Sequence, residues 1–513
     1  MKKLIALLIV LSLCFSSCSL FEGFVKDDSE KTSVTAGCKV GNHTDEDDNG
    51  SCDYCAVSVL VIVDLFSVND LHGKITATDS QPGIAGLTKY LKTVSDENSI
   101  FFSSGDMWQG SSESNLTYGA LVTDWMNQMG FVSMTLGNHE YDWSEEYVRT
   151  NADLAEFPLL AINVYDKTTG QRAEYATPSV VIERGGVEIG IIGAIGDCYS
   201  DISRDVVGDF TFKVGSELTR MVKDEATRLR NEGVDFIVYS IHDGYGSSSS
   251  STKYVKNTDI ASYYDATLSN GYVDLVFEAH THQSYILCDT YGVYHLQAGG
   301  ENKGIAHAEI SINSVSGSTK VRSTEIVKSS VYGKLGADPL IEELLTKYDE
   351  QIAPAYEVLG NNSSYRDDSV IEQIVADMYY EFGCEMWGDE YDIILGGGFI
   401  RTRNPYNLYS GQVLYADVYS LLPFDNNIVL CSISGADLLR QFINSTNDDY
   451  YIAAGVDINT LRNSIKSDQT YYIVTDTYTS TYVYNRCTEV ARITDRIFAR
   501  DLVAQYIREG RLG

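Results

Sequence analysis

Five apolar, β-branched runs in this chain each end in a short motif rich in histidine or carboxylate. Residues 59–68 lead into Asn69-Asp70-Leu71-His72-Gly73, and 100–103 lead into Gly105-Asp106. Residues 132–136 lead into Gly137-Asn138-His139-Glu140-Tyr141-Asp142, 236–241 into His242-Asp243, and 273–277 into Glu278-Ala279-His280-Thr281-His282. Continuous apolar runs of this length fit strands buried on both faces, and open α/β sheets place their ligands beyond the carboxyl ends of strands. Histidines kept for packing have no reason to collect there, whereas a metal site built across a sheet needs them.

Between the runs, apolar residues recur at helical spacing: Ile84, Leu87, Leu91 and Val94; Leu121, Val122, Trp125, Met126 and Met129; Leu218, Met221, Val222 and Leu229. Such stripes are the core faces of helices packed on a sheet. At 513 residues the chain exceeds one core. The strand and helix alternation predicts a first domain over 57–330. Leu340, Leu344, Leu345, Tyr348 and Ile352 predict a linker helix within 331–359, stopping before Pro354. A smaller second domain over 360–513 is expected to hold helices near 369–382, 435–443 and 494–507 and strands near 392–395, 428–433 and 471–475.

Acidic residues outnumber basic ones 72 to 38, a net charge of −34, which repels a nucleic acid polymer but not a small phosphorylated metabolite in a pocket dominated by cations. Met1-Lys2-Lys3, the apolar run 4–13 and Ser16-Ser17-Cys18 read as a bacterial lipoprotein signal (1–18), with Cys18 lipidated and the protein held outside the cytosol on a membrane. Residues 19–56 form an acidic tether. Within it Cys38, His43, Cys52 and Cys55 have the types and spacing of a small zinc knot; the alternative is a spacer with a disulfide between two of the three cysteines. Asp45, Asp47, Asn49 and Gly50 resemble the start of a calcium loop, but Ala56 stands where the closing glutamate belongs.

The carboxylate, imidazole and amide groups at the strand ends are the mixture that suits Zn, Mn, Fe or Co, and a pair of such ions activates water and neutralises phosphoryl oxygens. The stretches 69–73, 105–111 (Gly-Asp-Met-Trp-Gln-Gly-Ser) and 136–142 (Leu-Gly-Asn-His-Glu-Tyr-Asp) resemble those of the calcineurin-like metallophosphoesterases, specifically the secreted 5′-nucleotidase family. The resemblance implies an α/β fold, a four-layer α-β-β-α sandwich followed by a smaller α/β (α+β) substrate-binding domain. It also implies two divalent cations, one held by Asp70, His72, Asp106 and His282 and the other by Asp106, Asn138, His242 and His280. His139, oriented by Asp142, then stands as a cation near the phosphoryl group. Ala279 departs from the family's glycine before the His-x-His pair.

In the second domain, Leu395-Gly396-Gly397-Gly398-Phe399-Ile400-Arg401 resembles the family's substrate-binding segment, with Leu395 in place of asparagine and Arg401 or Arg403 as the anion-binding fork. Phe424, in Leu422-Pro423-Phe424, and Tyr478 match the positions of two aromatic walls for a base, but the family's Gly-Gly-Asp-Gly loop after the second is absent. The implied activity is hydrolysis of extracellular nucleotides, foremost nucleoside 5′-monophosphates. The alternatives are a phosphodiesterase for 2′,3′-cyclic nucleotides or nucleotide sugars, and a non-catalytic surface protein binding nucleosides or metal.

Overall fold

The computed structural model describes residues 43–77, 83–202, 208–245, 264–400, 402, 407–445, 450–483, 486–493 and 497–512. The leader with Cys18, Cys38, Arg401 and Arg403 lie outside the described residues. The chain divides into two units, one built from the part up to Val61 with Asn313–Ser318, the other from Ile62–Ile312 with Thr319–Gly513.

In the larger unit the predicted strands assemble into two sheets. One has the order Thr319–Lys328, Gly304–Asn313, Leu60–Val68, Ile100–Ser103, Ser133–Thr135, Leu159–Leu160, Ala176–Thr177. Its strands from Leu60–Val68 onward run parallel. The other has the order Ser284–Cys288, Tyr294–Ala298, Leu275–Phe277, Phe236–His242, Val187–Ile195, Ser179–Arg184, parallel through its centre. Phe236–His242 and Leu275–Phe277 are buried along their whole lengths, as suits their largely apolar sequences.

The sheets pack face to face. Phe102 meets Phe277 edge-on with centroids 4.9 Å apart, and a Cβ at Gly193 would lie 2.2 Å from Leu160 Cβ, so only glycine fits there. Helices Ile84–Val94 and Ala120–Met129 cover the outer face of the first sheet through Leu87, Leu91, Leu121, Trp125 and Met126. Ser216–Glu232 covers the second through Leu218, Val222 and Leu229. These are the four expected layers, and each fully buried leucine or isoleucine in them contributes about 1.5–3 kcal/mol. Val94 departs from its expected stripe: it lies at the end of its helix and is 42% exposed.

The linking segment is not one helix. Pro339–Lys347 ends at Tyr348, Asp349–Ile352 forms a further turn, and Ala353–Tyr356 tightens into a 3₁₀ turn at Pro354, which has no N–H to continue the ladder. Beyond it, a five-stranded mixed sheet has the order Tyr450–Ala453, Ile393–Phe399, Thr470–Asp476, Ile428–Ser434, Thr488–Arg492. Asp368–Trp387 and Ala499–Arg508 pack on one face through Ile371, Val375, Leu502 and Val503, and Leu438, Phe442 and Leu461 on the other. The expected helix at 435–443 begins as Gly435–Leu438 and widens into a π turn, Leu439–Ile443.

Candidate dimetal site

Asp70 and His72 follow strand Leu60–Val68, Asp106 follows Ile100–Ser103, Asn138 follows Ser133–Thr135, His242 closes Phe236–His242, and His280 and His282 follow Leu275–Phe277. The two sheets therefore present these side chains at one end of the sandwich. The turns are tight. Asp70, His72, Asp106, His280 and His282 have φ between 49° and 68°, making up five of the eleven non-glycine residues with positive φ among those described. Left-handed backbone is costly for residues with a Cβ and persists where the surroundings over-determine it, commonly at functional sites.

The donor atoms converge in two groups that meet at Asp106. His72 Nε2 lies 3.0 Å from His282 Nε2, and His282 Nε2 lies 3.5 Å from Asp70 Oδ1. His242 Nε2 lies 3.1 Å from Asp106 Oδ2, and His280 Nδ1 lies 3.0 Å from Asn138 Oδ1. His72 Nε2 is 3.9 Å from the same Asp106 oxygen, so that carboxylate faces both groups. Two ligands on one ion at about 2.0–2.2 Å stand roughly 3.0–3.5 Å apart, so this spacing fits divalent cations. His242 Nε2 is buried and, although 3.1 Å from Asp106 Oδ2, makes no well-aligned hydrogen bond, which leaves its lone pair available to an ion between them.

Outer contacts fix which nitrogen faces inward. His72 Nδ1 pairs with Gln109 O at 2.9 Å and His242 Nδ1 with Ser104 O at 2.8 Å, leaving both Nε2 atoms for the site. Burial works against the charged His242 ring, yet Asp106, with Asp70 and Glu140, pushes it up to about 10. Burial also opposes an ionised Asp106, but His242, His139 and His72 hold it well below the usual carboxylate range. Space is as tight as charge: a Cβ at Gly137 would sit 2.3 Å from Asp106 Oδ1 and 2.8 Å from His242 Cε1.

Three supporting features carry little separate signal in the sequence. Glu140, fully buried, accepts the backbone N–H groups of Asp106 (2.9 Å), Met107 (2.8 Å), Trp108 (3.4 Å) and Gly137 (2.7 Å), tying two ligand loops together. Burial and the Asp106 charge push its carboxyl up to about 7, while His242 and the N–H groups of Asp106 and Gly137 pull it down. Beneath these side chains, Ser67 bonds to Ser104 at 2.9 Å within the first sheet, and Ser240 of the second sheet reaches across to Ser104 at 3.1 Å and to Thr135 at 2.7 Å. Behind the His280 loop, His295 Nδ1 lies 2.7 Å from Glu278 Oε1 and its Nε2 lies 3.4 Å from Asp289 Oδ2. Ala279 is fully buried without positive φ, so its methyl group is accommodated.

His139 stands beside the ligands with Nδ1 2.7 Å from Asp142 Oδ2, and its backbone N–H donates to Asp106 Oδ1 at 2.9 Å. Burial raises the Asp142 carboxyl, and the paired His139 pulls against that rise. The second domain reaches this point. The Phe424 ring is 5.7 Å from the His139 ring, and Pro423 O accepts Gln109 Nε2 at 3.0 Å and Asn115 Nδ2 at 3.1 Å. Buried Arg500 donates to Phe424 O at 3.0 Å, pairs with Asp425 and lies over the Tyr419 ring. Tyr478 is 44% exposed and its ring faces Phe399 at 6.1 Å, so the two expected aromatic walls each meet a different ring.

In the smaller unit the donor atoms of His43, Cys52 and Cys55 lie within 4.8 Å of one another. Among the described residues no helix is long and apolar enough to cross a membrane.

Residues 66–284 match the calcineurin-like phosphoesterase family and 351–469 match the 5′-nucleotidase C-terminal domain. An apyrase of Tabanus yao is 25% identical over 423 residues, covering 73% of this chain and 72% of its own. The protein UshA of Yersinia enterocolitica is 23% identical over 426 residues, covering 73% and 74%. Among solved structures, a 5′-nucleotidase precursor from Thermus thermophilus superposes with a TM-score of 0.64 at 18% identity, covering 88% of this chain and 96% of that one. The sulfate thiohydrolase SoxB of Thermus thermophilus gives a TM-score of 0.60 at 13% identity, covering 87% and 94%. At these identities the structural likeness speaks for the fold.

Proposed function

We propose that this chain, a hydrolase that belongs to the calcineurin-like phosphoesterases and carries a 5′-nucleotidase C-terminal domain, releases phosphate from extracellular nucleotides, foremost nucleoside 5′-monophosphates. The observation that carries the reading is the meeting of two donor groups at Asp106 with the His139–Asp142 pair alongside. Asp70, His72, Asp106 and His282 would hold one divalent cation (Zn, Mn, Fe or Co), and Asp106, Asn138, His242 and His280 the other. When bound, such a pair supplies Lewis acidity toward phosphoryl oxygens and lowers the pKa of water.

The chain's own groups do the rest. His72 and His242 are locked as Nε2 donors by the carbonyl groups behind them. His139, charged and held by Asp142, opposes the negative charge that builds on the phosphoryl group and carries a proton at Nε2 for the leaving oxygen. Phe424, beside His139, offers a stacking face for the base. Arg401 and Arg403 are proposed as anion contacts and Tyr478 as a second wall. We assign the catalytic domain to 57–330, the linker to 331–359 and the substrate domain to 360–513. The sequence of the first eighteen residues supports lipid anchoring at Cys18 outside the cytosol.

The test is phosphate release from nucleoside monophosphates, 2′,3′-cyclic nucleotides and nucleotide sugars, with Mn²⁺ or Zn²⁺ supplied. His139→Ala is expected to lower kcat by about 10²–10⁴ with metal content unchanged. Undiminished turnover in that variant removes His139 from the reaction. The absence of monoester hydrolysis by the loaded wild type, with diesters cleaved, moves the assignment to a phosphodiesterase.

A further inference from the structure

We propose that His43, Cys52 and Cys55 form a separate structural metal site that holds one zinc ion. The two thiols and the imidazole come from a stretch too short to bring them together by packing, yet their donor atoms lie within 4.8 Å of one another, with Cys55 Sγ 3.6 Å from His43 Nδ1. Sulfur and nitrogen donors select zinc over calcium or magnesium, which take oxygen.

The local backbone is a knuckle built to present two sulfurs. Ser51 and Ser58 pair antiparallel, Cys52 N donates to Val57 O at 2.8 Å, and Ala56 N returns to Cys52 O at 2.8 Å. Ala56 takes φ 57° to close the turn after the second cysteine. The backbone N–H groups of Thr44, Tyr54 and Cys55 point at the Cys52 sulfur, the kind of outer contact that orients a thiolate ligand.

Size gives a second, independent argument. Within residues 43–61 and 313–318, the buried hydrophobic side chains are Cys52 and Val59. Among the described residues, therefore, little apolar packing holds the knuckle in place, and where an apolar core is small a metal or disulfides usually supply the stability. The nearby carboxylates are engaged otherwise. Asp45 accepts the N–H groups of Asn49 (3.0 Å) and Gly50 (2.8 Å), and Asp48 accepts the hydroxyls of Ser316 (2.8 Å) and Ser318 (2.6 Å). The sequence offers Cys38 as a fourth ligand, but it lies outside the described residues.

The test compares the full chain with Cys52→Ser, Cys55→Ser and His43→Gln after zinc loading and removal of free metal. Each variant is expected to lose one zinc per chain by elemental analysis while nucleotide hydrolysis is unchanged, which also reports that the variant is folded. Cobalt-loaded wild type should show a thiolate charge-transfer band in the near ultraviolet that both cysteine variants lose in part or whole. Equal zinc content in wild type and variants overturns the proposal. So does a Cys52–Cys55 disulfide found by mass spectrometry in the zinc-supplemented chain.

Discussion

Replacing Glu140 with glutamine changes one oxygen into an NH₂ group inside a ring of four backbone donors. In the wild type one carboxylate oxygen accepts from Met107 and Trp108 and the other from Asp106 and Gly137. The amide must turn its NH₂ toward one pair, and the less costly choice is the pair containing the long 3.4 Å contact to Trp108. That choice sets donor against donor at Met107 and leaves about one and a half buried N–H groups unsatisfied. At roughly 1–3 kcal/mol for each unsatisfied group, the expected loss is about 2–4 kcal/mol. The same loop carries Asp106, so metal affinity should fall by about 10–100-fold. Urea unfolding of the metal-free protein at pH 8, above the value of about 7 to which the carboxyl is lifted, gives the first quantity. Calorimetric metal titration gives the second. A loss under about 1 kcal/mol together with wild-type metal affinity would refute the idea that Glu140 ties the ligand loops, because the penalty for one stranded N–H alone exceeds it.

Two further outcomes can be measured directly. Burial works against the charged His295 ring, but Glu278 and Asp289 push it up to about 9 from an ordinary 6.5. Its contribution is therefore complete below pH 6.5 and is lost as pH rises through 9, a drop of about 3 kcal/mol; the difference in urea stability between wild type and His295→Gln should shrink over that window, and a constant difference would count against it. Gln109→Ala removes a donor to Pro423 O worth about 0.5–1.5 kcal/mol, so hydrogen exchange at 422–425 should quicken by up to about tenfold, and unchanged exchange denies the contact any role in docking.

The arrangement of the site was legible because its chemistry and its topology use the same residues. Apolar runs that end abruptly in Asp, Asn or His leave their tips at strand ends, and parallel pairing carries those tips to one edge. Distances along the chain are no obstacle to this: Asp70 and His282 meet although 212 positions separate them, because parallel pairing levels the strand ends within each sheet, Leu65 with Ile100 in one and Val238 with Leu275 in the other, and the two sheets then pack face to face. Contacts made by backbone atoms were not legible. Nothing in Glu140 as a letter distinguishes a carboxylate that binds four N–H groups from a solvated one, and Arg500 gives no sign that it will be buried against Phe424 O and Asp425. The single linker helix failed for a local reason, since apolar spacing runs on to Ile352 while the backbone leaves helical geometry at Tyr348 (φ −107°, ψ 14°).

The left-handed turns at Asp70, His72, Asp106, His280 and His282 limit how this pocket can drift. A replacement must offer an electron pair to a cation and also tolerate a backbone that most side chains refuse. Aspartate, asparagine and histidine are the residues that meet both demands, being enriched several-fold in that region. Glutamate or cysteine, adequate as donors, would strain the chain. An interchange among Asp, Asn and His is thus the least disruptive path for retuning the ion preference of the proposed site, and residue types outside that trio would require the loop itself to be rebuilt.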